Sequence, residues 1–444
     1  MFRIPVSTAL KGSCCFVALL LLAPCVQAET LREAIQASLV KNPTLEQALA
    51  TQTSAQQDLR ATKSNYYPSV SLSTAAGRVY GNNATSRGFN TTRGAGYSNM
   101  WEGSVTLNQM IFDSMKTPRL VDAAEEKSKS AELDLQNVRE TLVLQTTMAY
   151  LNALRTRQSL DLLIQHQDTL KGYENQISKM VNEGMADDAE LQQAKALGID
   201  IRDMISEFQG QVRATDAEYA RLTGHIPEGE MKKPESIKAD LPSNADQAIS
   251  ESLISHPQIK KLEREVEAAK LTRKAQNSAL YPTVSGELSA YRKDVNDIIG
   301  GEVEDNRALI RLNWSLSSGG AELAQIEKAA ADERKSRAYQ EEVSRQLKAL
   351  IQVSCSDMMT ADEQLAFAQE RLETSQNLLS TYKVQFEGGK VRALQILQGE
   401  NQVLRNKMDV LNNEYRSLAA QYAVLGAMGK LQEKLALTTF SHGQ

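Results

Sequence analysis

The residue types that most often support catalysis or ligand binding form no recognisable motif in this chain. Gly389-Lys390 lacks a glycine five residues before Gly389 and is followed by neither Ser nor Thr, so it is not a phosphate-binding loop. Neither a dinucleotide fingerprint nor a Gly-x-Ser-x-Gly nucleophile motif occurs. The histidines have no cysteine or acidic partner at the spacing of a metal site: His166, His225, His256 and His442. We therefore predict a protein that is not an enzyme and uses no cofactor or metal.

Charged side chains gather just beyond two glycine turns. Asp187, Asp188 and Glu190 follow Gly184, and Arg392 follows Gly389. If the fold brings the two turns together, these opposite charges would form ion pairs. Acids near the start of a helix also interact favourably with its positive end, so a solvated helix start explains the acidic group equally well.

The elements that position these turns come from an internal duplication. The segment that ends at Pro43 matches the segment that ends at Pro257, and Tyr67-Pro68 matches Tyr281-Pro282 at the same offset. From Leu107 onward, which matches Leu312, the offset is smaller and stays constant. A length change confined to one place is typical of a surface loop. We predict halves at 29–225 and 246–430, a proline-rich linker at 226–245 and a tail at 431–444.

Proline placement predicts very long helices in both halves. No proline lies between residues 119 and 226 or after residue 282, and proline in a helix interior costs about 3 kcal/mol. Each half is predicted to open with a short and a medium helix, at 30–65 and 245–279. The long helices and the helices that close each half are predicted at 114–182, 187–223, 319–387 and 391–428. A helix of this length rises about 100 Å, which suits a protein that spans a distance or builds a wall.

The last helix has the apolar repeat of a coiled coil. Its seam alternates steps of three and four residues: Leu394, Leu397, Asn401, Leu404, Met408, Leu411, Tyr415, Leu418, Tyr422 and Leu425. The preceding helix has apolar residues every seven positions from Ile351 to Phe386. A period of 3.5 residues per turn indicates left-handed supercoiling. Because Gly388-Gly389 breaks the helix at little cost, we predict that the two helices form an antiparallel pair.

Four segments, two in 67–112 and two in 281–317, have the two-residue period of strands with one apolar face. In the last of them Ile310 and Leu312 alternate with Arg311. The pattern fits a membrane barrel with a wet lumen and also a soluble sheet on a core. Four strands cannot close a barrel, and lipid does not tolerate open edges, so membrane strands would be shared among several copies. The aromatic residues that would mark the membrane surface are Tyr67, Trp101, Tyr281 and Trp314.

The N-terminal segment 1–28 has the features of a secretory signal peptide. A basic start with Arg3 and Lys11 precedes an apolar run and Ala28, after which we predict cleavage. The segment before Cys25 also resembles a lipoprotein signal, in which Cys25 would be acylated, although Pro24 fits that pattern poorly. Without Arg3 and Lys11 the chain keeps 48 basic against 55 acidic side chains, a net charge of −7. This balance gives no basic face for a nucleic-acid partner.

Taken together, these features resemble the TolC family of outer-membrane efflux and secretion proteins. The resemblance covers nearly all of the chain after Ala28. It rests on the duplicated elements at Pro43 and Pro257, on the Tyr-Pro elements ahead of the strands, and on the turns at Gly184 and Gly389. The fold it implies is mainly α with a small β part. In a homotrimer, twelve strands would form one transmembrane β-barrel, and long coiled-coil helices would form an α-barrel through the periplasm.

The function implied by the resemblance is an outer-membrane channel-tunnel of a tripartite export system. Its implied partners are a periplasmic adaptor protein, an ABC or proton-driven transporter of the inner membrane, and outer-membrane lipid. Type I protein secretion and small-molecule efflux both remain open, and the Ile111-Phe112-Asp113 junction slightly favours secretion. The alternative is a periplasmic or surface coiled-coil protein without a pore.

The resemblance also assigns site residues. The turns that would contact the adaptor comprise Glu183, Gly184, Met185, Gly388, Gly389 and Lys390. Many family members narrow the tunnel with acidic residues early in the last helix, whereas the matching residues here are Gln395 and Gln398. This departure implies a polar but uncharged constriction. The residues predicted at the constriction or gate are Gln395, Gln398, Arg392, Glu190, Asp187 and Asp188.

Overall fold

The computed structural model describes residues 28–81, 96–227, 229–295, 302–316 and 318–435. Several predictions from the sequence lie outside the described residues. They concern the signal peptide before Ala28, with its alternative acylation site Cys25, as well as most of the tail and both loop tips between the strands.

The two halves have the same order of elements. The first half comprises α1 (Leu31–Lys41), α2 (Pro43–Lys63), β1 (Ser69–Gly81), β2 (Gly96–Phe112), α3 (Lys116–Asn182) and α4 (Asp188–Thr223). The second comprises α5 (Ala245–Ser255), α6 (Pro257–Gln276), β3 (Thr283–Val295), β4 (Val303–Asn313), α7 (Ala321–Glu387) and α8 (Ala393–Met428), and α9 (Leu431–Lys434) follows. Helices α7 and α8 begin and end at the duplicates of the residues where α3 and α4 begin and end. The offset is the same as that between Leu107 and Leu312. The repeat in the sequence is therefore a repeat of structure.

The duplicated X-Pro elements are helix starts. The side chain of Asn42 accepts a hydrogen bond of 2.9 Å from the backbone N–H of Thr44. In the second half, Nδ1 of His256 accepts one of 3.1 Å from the N–H of Gln258. Burial lowers the pKa of His256 to about 4, which keeps this nitrogen free to accept. Proline follows each cap at the first helical position, where its missing N–H costs nothing.

The strands form one antiparallel sheet in the order β1-β2-β3-β4, which places β1 and β4 at its edges. The register pairs Leu72 with Val105 on one face and Ser71 with Thr106 on the other, so the predicted two-residue period is confirmed. The apolar face is open to the surroundings, with Leu72 72% exposed and Ile310 79% exposed. A soluble sheet would cover this face with its own core, and this sheet does not do so within the described residues.

The helix pair predicted from the apolar repeat near the end of the chain is present. Helix α3 lies against α4, α7 lies against α8, and α8 also contacts α3. Eight of the ten predicted seam residues of α8 are in apolar clusters or pack against them, from Leu397 and Leu404 near its start to Tyr422 and Leu425 near its end. The fold class predicted from the sequence is confirmed. No helix among the described residues is long and apolar enough to cross a membrane.

Part of the predicted tail belongs to the core. Leu431, the first residue of α9, is fully buried in a cluster with Ile35, Tyr150 and Tyr422. Helix α9 and its neighbours therefore close the packing around the middle of α3. This packing was not predicted, because a helix of four residues is too short to show an apolar period in the sequence.

Candidate functional site

The first of the two predicted contact turns joins α3 to α4. Glu183 is the C-cap of α3, and Gly184 has a φ of 74°. The N–H of Met185 donates a hydrogen bond of 2.8 Å to the carbonyl of Met180, back across the last turn of the helix. This is the Schellman geometry, which satisfies helix carbonyls that would otherwise lack donors. Glycine is required because a left-handed φ costs any residue with a Cβ atom.

The second turn, between α7 and α8, has the same geometry. Gly388 is the C-cap of α7, and Gly389 has a φ of 69°. The N–H of Lys390 donates a hydrogen bond of 2.8 Å to the carbonyl of Gln385. Gly389 is the duplicate of Gly184 at the offset that relates the long helices, so the duplication has preserved the turn itself. Lys390 and Met185 occupy matching positions beyond the two glycines.

The two turns lie side by side and border a cleft of about 570 Å³. Met185, Asp187 and Glu190 line it from the first half, and Gly389 and Arg392 line it from the second. The fold therefore brings together the charged residues that follow the two turns. In the sequence these residues are separated by about half the chain.

One ion pair connects the starts of α4 and α8. Nε of Arg392 lies 4.0 Å from Oε1 of Glu190. The Glu190 side chain is only 12% exposed, whereas that of Arg392 is 78% exposed. A pair with one largely exposed partner contributes between 0 and about 1 kcal/mol to stability. Asp187 and Asp188 are exposed at the positive end of α4, as the alternative explanation of these acids expected.

The predicted constriction residues lie on α8 just beyond this cleft. Gln395 is exposed, and its Oε1 accepts a hydrogen bond of 3.3 Å from the backbone N–H of Arg392. Its side chain thus caps the first turn of α8. Gln398 is exposed one turn further along the same face. Neither glutamine is among the residues that line the cleft.

A buried carboxylate that we did not predict lies next to this region. Oε1 of Glu400 accepts a hydrogen bond of 2.9 Å from the Tyr173 hydroxyl and lies 2.8 Å from Nζ of Lys383. These three residues belong to α8, α3 and α7, so one carboxylate joins both helix pairs. In the sequence, the adjacent polar residues Glu400 and Asn401 interrupt the otherwise apolar repeat of α8, and this interruption was the only indication of the site. Asn401 is also bonded, through Oδ1, to the Nε2 of His166 at 2.9 Å.

The environment of Glu400 shifts the pKa values of both partners. Burial, followed by the bond to Glu400, raises the pKa of Tyr173 above its ordinary value. Burial acts to lower the pKa of Lys383, but its bonds to Glu400 and Tyr173 outweigh this effect and raise it. Tyr173 is therefore a neutral donor and Lys383 a cation across the pH range of a living cell.

This architecture has relatives among known proteins. The family model described as "Outer membrane efflux protein" matches residues 34–225 and 248–430. Because the two segments cover well over half of the chain, the chain belongs to the outer membrane efflux protein family.

Individual proteins agree with this assignment. The chain is 23% identical over 406 residues to the outer membrane efflux protein BepC of Brucella suis, covering 91% of this chain and 86% of BepC. It is 21% identical over 429 residues to the outer membrane protein TolC of Escherichia coli, covering 92% of this chain and 84% of TolC. Among solved structures, the outer membrane protein VceC of Vibrio cholerae superposes with a TM-score of 0.76 at 18% identity, covering 90% of this chain and 96% of VceC.

The chain is thus an efflux channel of the outer membrane, with a tunnel that extends into the periplasm. The family to which it belongs consists of channels. The alternative, a coiled-coil protein without a pore, is not favoured.

Proposed function

We propose that three copies of this chain form one passive conduit that carries cargo through the outer membrane and the periplasm. The observation that carries this proposal is the four-strand sheet, in which β1 and β4 are edges that no other described strand covers. Open edges are not tolerated in lipid, and four strands are too few to close a barrel. Four strands from each of three copies make twelve, a number within the range of known membrane barrels.

The residues at the ends of the sheet support its place in a bilayer. Tyr67 and Tyr281 precede the strands at the helical end of the sheet and are exposed. Tyr80 and Tyr97 lie at the opposite end, with ring centroids 5.2 Å apart. Aromatic residues on both sides of an apolar band are typical of membrane strands, because their rings favour the region of the lipid headgroups.

The long helices supply the periplasmic part of the conduit. Helices α3 and α7 each have 67 residues, which corresponds to about 100 Å at a rise of 1.5 Å per residue. Helices α4 and α8 return beside their ends. Side by side in three copies, these antiparallel pairs would enclose a tunnel, with the Gly184 and Gly389 turns at its far end.

The turns are the part of this tunnel that we assign to gating and docking. The pair Glu190–Arg392 connects them within one copy, and Gln395 and Gln398 would form two polar rings in a trimer. A periplasmic adaptor would contact the exposed turn residues, of which Met185 is 64% exposed. This contact would separate the two helix pairs and open the tunnel.

The conduit catalyses no reaction in this proposal, so the free energy for transport comes from its partners. We assign the adaptor and an ABC or proton-driven transporter of the inner membrane to this role. The cargo is either a secreted protein or a small molecule. Covalent crosslinking in cells, followed by identification of the captured transporter, separates the two, because the two transporter classes carry different cargo.

The proposal is tested with the purified full-length protein in detergent and in lipid bilayers. Native mass spectrometry is expected to show a trimer, and planar bilayers are expected to show discrete channel currents. A monomer that gives no currents after insertion would contradict the conduit.

A further inference from the structure

A groove on one face of the α3–α8 contact has two arginines at its rim. The groove has a volume of about 340 Å³. Its floor is apolar, with Met148, Leu151 and Ala419, and its rim carries Arg155 and Arg416. The remaining lining residues are Asn152, Asn412 and Tyr415. No carboxylate is among the residues that line it.

The hydrogen bonds of both arginines leave their charge uncompensated. Arg155 donates to Oδ1 of Asn412 and to Oδ1 of Asn152, each at 2.8 Å. Arg416 donates at 2.6 Å to Oε1 of Gln364 on α7. All three acceptors are neutral amides, and neither arginine forms an ion pair with any carboxylate in the part of the chain that the structure describes. The amides therefore orient two guanidinium groups without neutralising them.

The opposite face of each helix shows which way the groove is directed. On α8, Glu414 forms an ion pair with Lys233 of the linker between the halves. Arg416 follows Glu414 by two residues, which places it about 200° around the helix. On α3, the Tyr150 hydroxyl donates to the carbonyl of Lys232 in the same linker, and Asn152 follows it by two residues. The groove thus faces away from the linker on both helices.

A heptad pattern connects the groove to the predicted constriction. Starting at Gln395, steps of three and four residues give one stripe along α8: Gln395, Gln398, Gln402, Arg405, Asp409, Asn412 and Arg416. In a supercoiled wall such a stripe runs along the tunnel axis. Its only acid, Asp409, lies 3.8 Å from Arg371 of α7 and is matched by that charge. Arg416 lies three heptads beyond Gln395, about 30 Å higher in the tunnel.

We propose that this groove is a binding site for organic anions on the inner wall of the tunnel. The two guanidinium groups suit a carboxylate, sulfonate or phosphate, and the apolar floor suits an aromatic or aliphatic body of modest size. In a trimer the site occurs three times at one level and forms a ring of six arginines. The nearest acid on the corresponding face of α7, Asp357, lies seven residues from Gln364, about 10 Å away.

This inference rests on the proposed conduit, because only an oligomer turns this face into a lumen. The ring of arginines would favour one class of cargo, organic anions with an apolar body. Anionic amphiphiles would pause at the ring, whereas cations of the same size would be repelled from it. A ring of uncompensated charge in a confined channel also enriches the counter-ion of opposite sign.

The test uses the purified trimer in planar bilayers with 2-naphthalenesulfonate as the anionic probe and 2-naphthol as its neutral analogue. We expect the sulfonate to block the wild-type current and naphthol to leave it unchanged. The variant Arg416→Gln should weaken the block about fivefold, the equivalent of about 1 kcal/mol, and Arg155→Gln/Arg416→Gln should weaken it further. The chloride-to-potassium permeability ratio should fall in the same order.

Lys407→Gln is the matched control. It removes one positive charge from the same helix, nine residues from Arg416 and on its opposite side, and should leave block and selectivity within twofold of the wild type. Equal block in the wild type and both arginine variants would contradict an anion-binding site in the groove. So would a loss of block in Lys407→Gln as large as that in Arg416→Gln. A wild type that conducts no ions would contradict the conduit itself, which keeps the two failures distinguishable.

Discussion

The hydroxyl of Tyr173 donates a 2.9 Å hydrogen bond to Oε1 of Glu400, and the same oxygen lies 2.8 Å from Nζ of Lys383. Tyr173 belongs to the α3–α4 pair, whereas Glu400 and Lys383 belong to the α7–α8 pair. The two pairs can separate near the turns only if the bond from Tyr173 is broken. Glu400 is 8% exposed, so an unpaired carboxylate at this position would be costly.

We predict that Tyr173→Phe loosens the end of the tunnel without unfolding the protein. Phenylalanine keeps the ring and its packing but removes a bond to a charged acceptor, which is worth on the order of 1.5–3 kcal/mol. The Lys383–Glu400 pair remains, so Glu400 is not left alone. Hydrogen exchange should accelerate in 173–200 and 383–400, and the open probability in bilayers should rise.

The control for this change is Tyr339→Phe. Tyr339 is on α7 and is 56% exposed. Removal of its hydroxyl should therefore leave both hydrogen exchange and the open probability unchanged. If Tyr173→Phe exchanges at the wild-type rate near the turns, the hydroxyl does not hold the pairs together. A rise in exchange throughout the molecule would indicate general destabilisation instead.

Much of this fold follows from patterns that are local or repeated. The seam from Leu394 to Leu425 predicted the α7–α8 pair, because a coiled coil requires apolar residues at regular steps. The duplicated glycines, Gly184 and Gly389, predicted the two turns. The glycines can be recognised because a left-handed turn favours one residue type, and the seam can be recognised because its apolar residues recur at fixed steps.

The remaining features depend on contacts between distant segments. Glu400 is a buried hydrogen-bond acceptor only because Tyr173, 227 residues earlier, reaches it. The register shift in β2 between Met110 and Phe112 adds one residue to a strand whose alternation otherwise predicts no bulge. The groove between Arg155 and Arg416 required knowledge of which helix faces meet, which periodicity within one helix does not provide.

A strained junction leads to the second prediction. Ser114 and Met115, between β2 and α3, have φ values of 58° and 67°, although neither is glycine. The residues at the matching positions of the second half, Gly319 and Gly320, have φ values of 68° and 89°. The left-handed conformation costs a residue with a Cβ atom about 1–2 kcal/mol. The first half thus contains strain that the second half avoids by using glycine.

We expect Met115→Gly to raise the free energy of unfolding by up to about 1 kcal/mol. The strain relief is partly offset because glycine makes the unfolded chain more flexible. Gly320→Ala should act in the opposite direction, since it introduces the same strain into the second half. The measurement is the denaturant midpoint of the detergent-solubilised trimer. If Met115→Gly lowers the midpoint instead of raising it, strain at Met115 is not the dominant effect.

The third prediction concerns the constriction. Replacing Gln395 and Gln398 with aspartate would place six carboxylates at two adjacent levels of a trimeric tunnel. Clustered carboxylates bind divalent cations, so block of the channel by magnesium should strengthen at least tenfold. Gln56→Asp/Gln57→Asp adds the same charge on an exposed part of α2 and should have no such effect. Unchanged block in the Gln395 and Gln398 variant would place the narrowest point elsewhere.

The last prediction comes from a carboxylate that anchors α9. Oε2 of Glu140 accepts a hydrogen bond of 3.1 Å from the N–H of Leu431, and Oε1 accepts one of 3.2 Å from the N–H of Gln432. Burial nevertheless raises the pKa of Glu140 from 4.5 to about 7, and the negative charge of Glu433 adds to the rise. Ionising Glu140 is therefore more costly in the folded protein than in the unfolded chain.

The sign of the pH dependence follows from this rise. Glu140 contributes stability that is fully present below its unfolded pKa of 4.5 and is lost as the pH rises through about 7. Relative to Glu140→Gln, the wild type should therefore lose up to about 3 kcal/mol of unfolding free energy between about pH 5 and about pH 8. Denaturant midpoints of both proteins across this range provide the measurement, with Glu132→Gln, an exposed glutamate on the same helix, as the control. Parallel pH profiles for the wild type and Glu140→Gln would show that the bonds to Leu431 and Gln432 offset the burial of the charge.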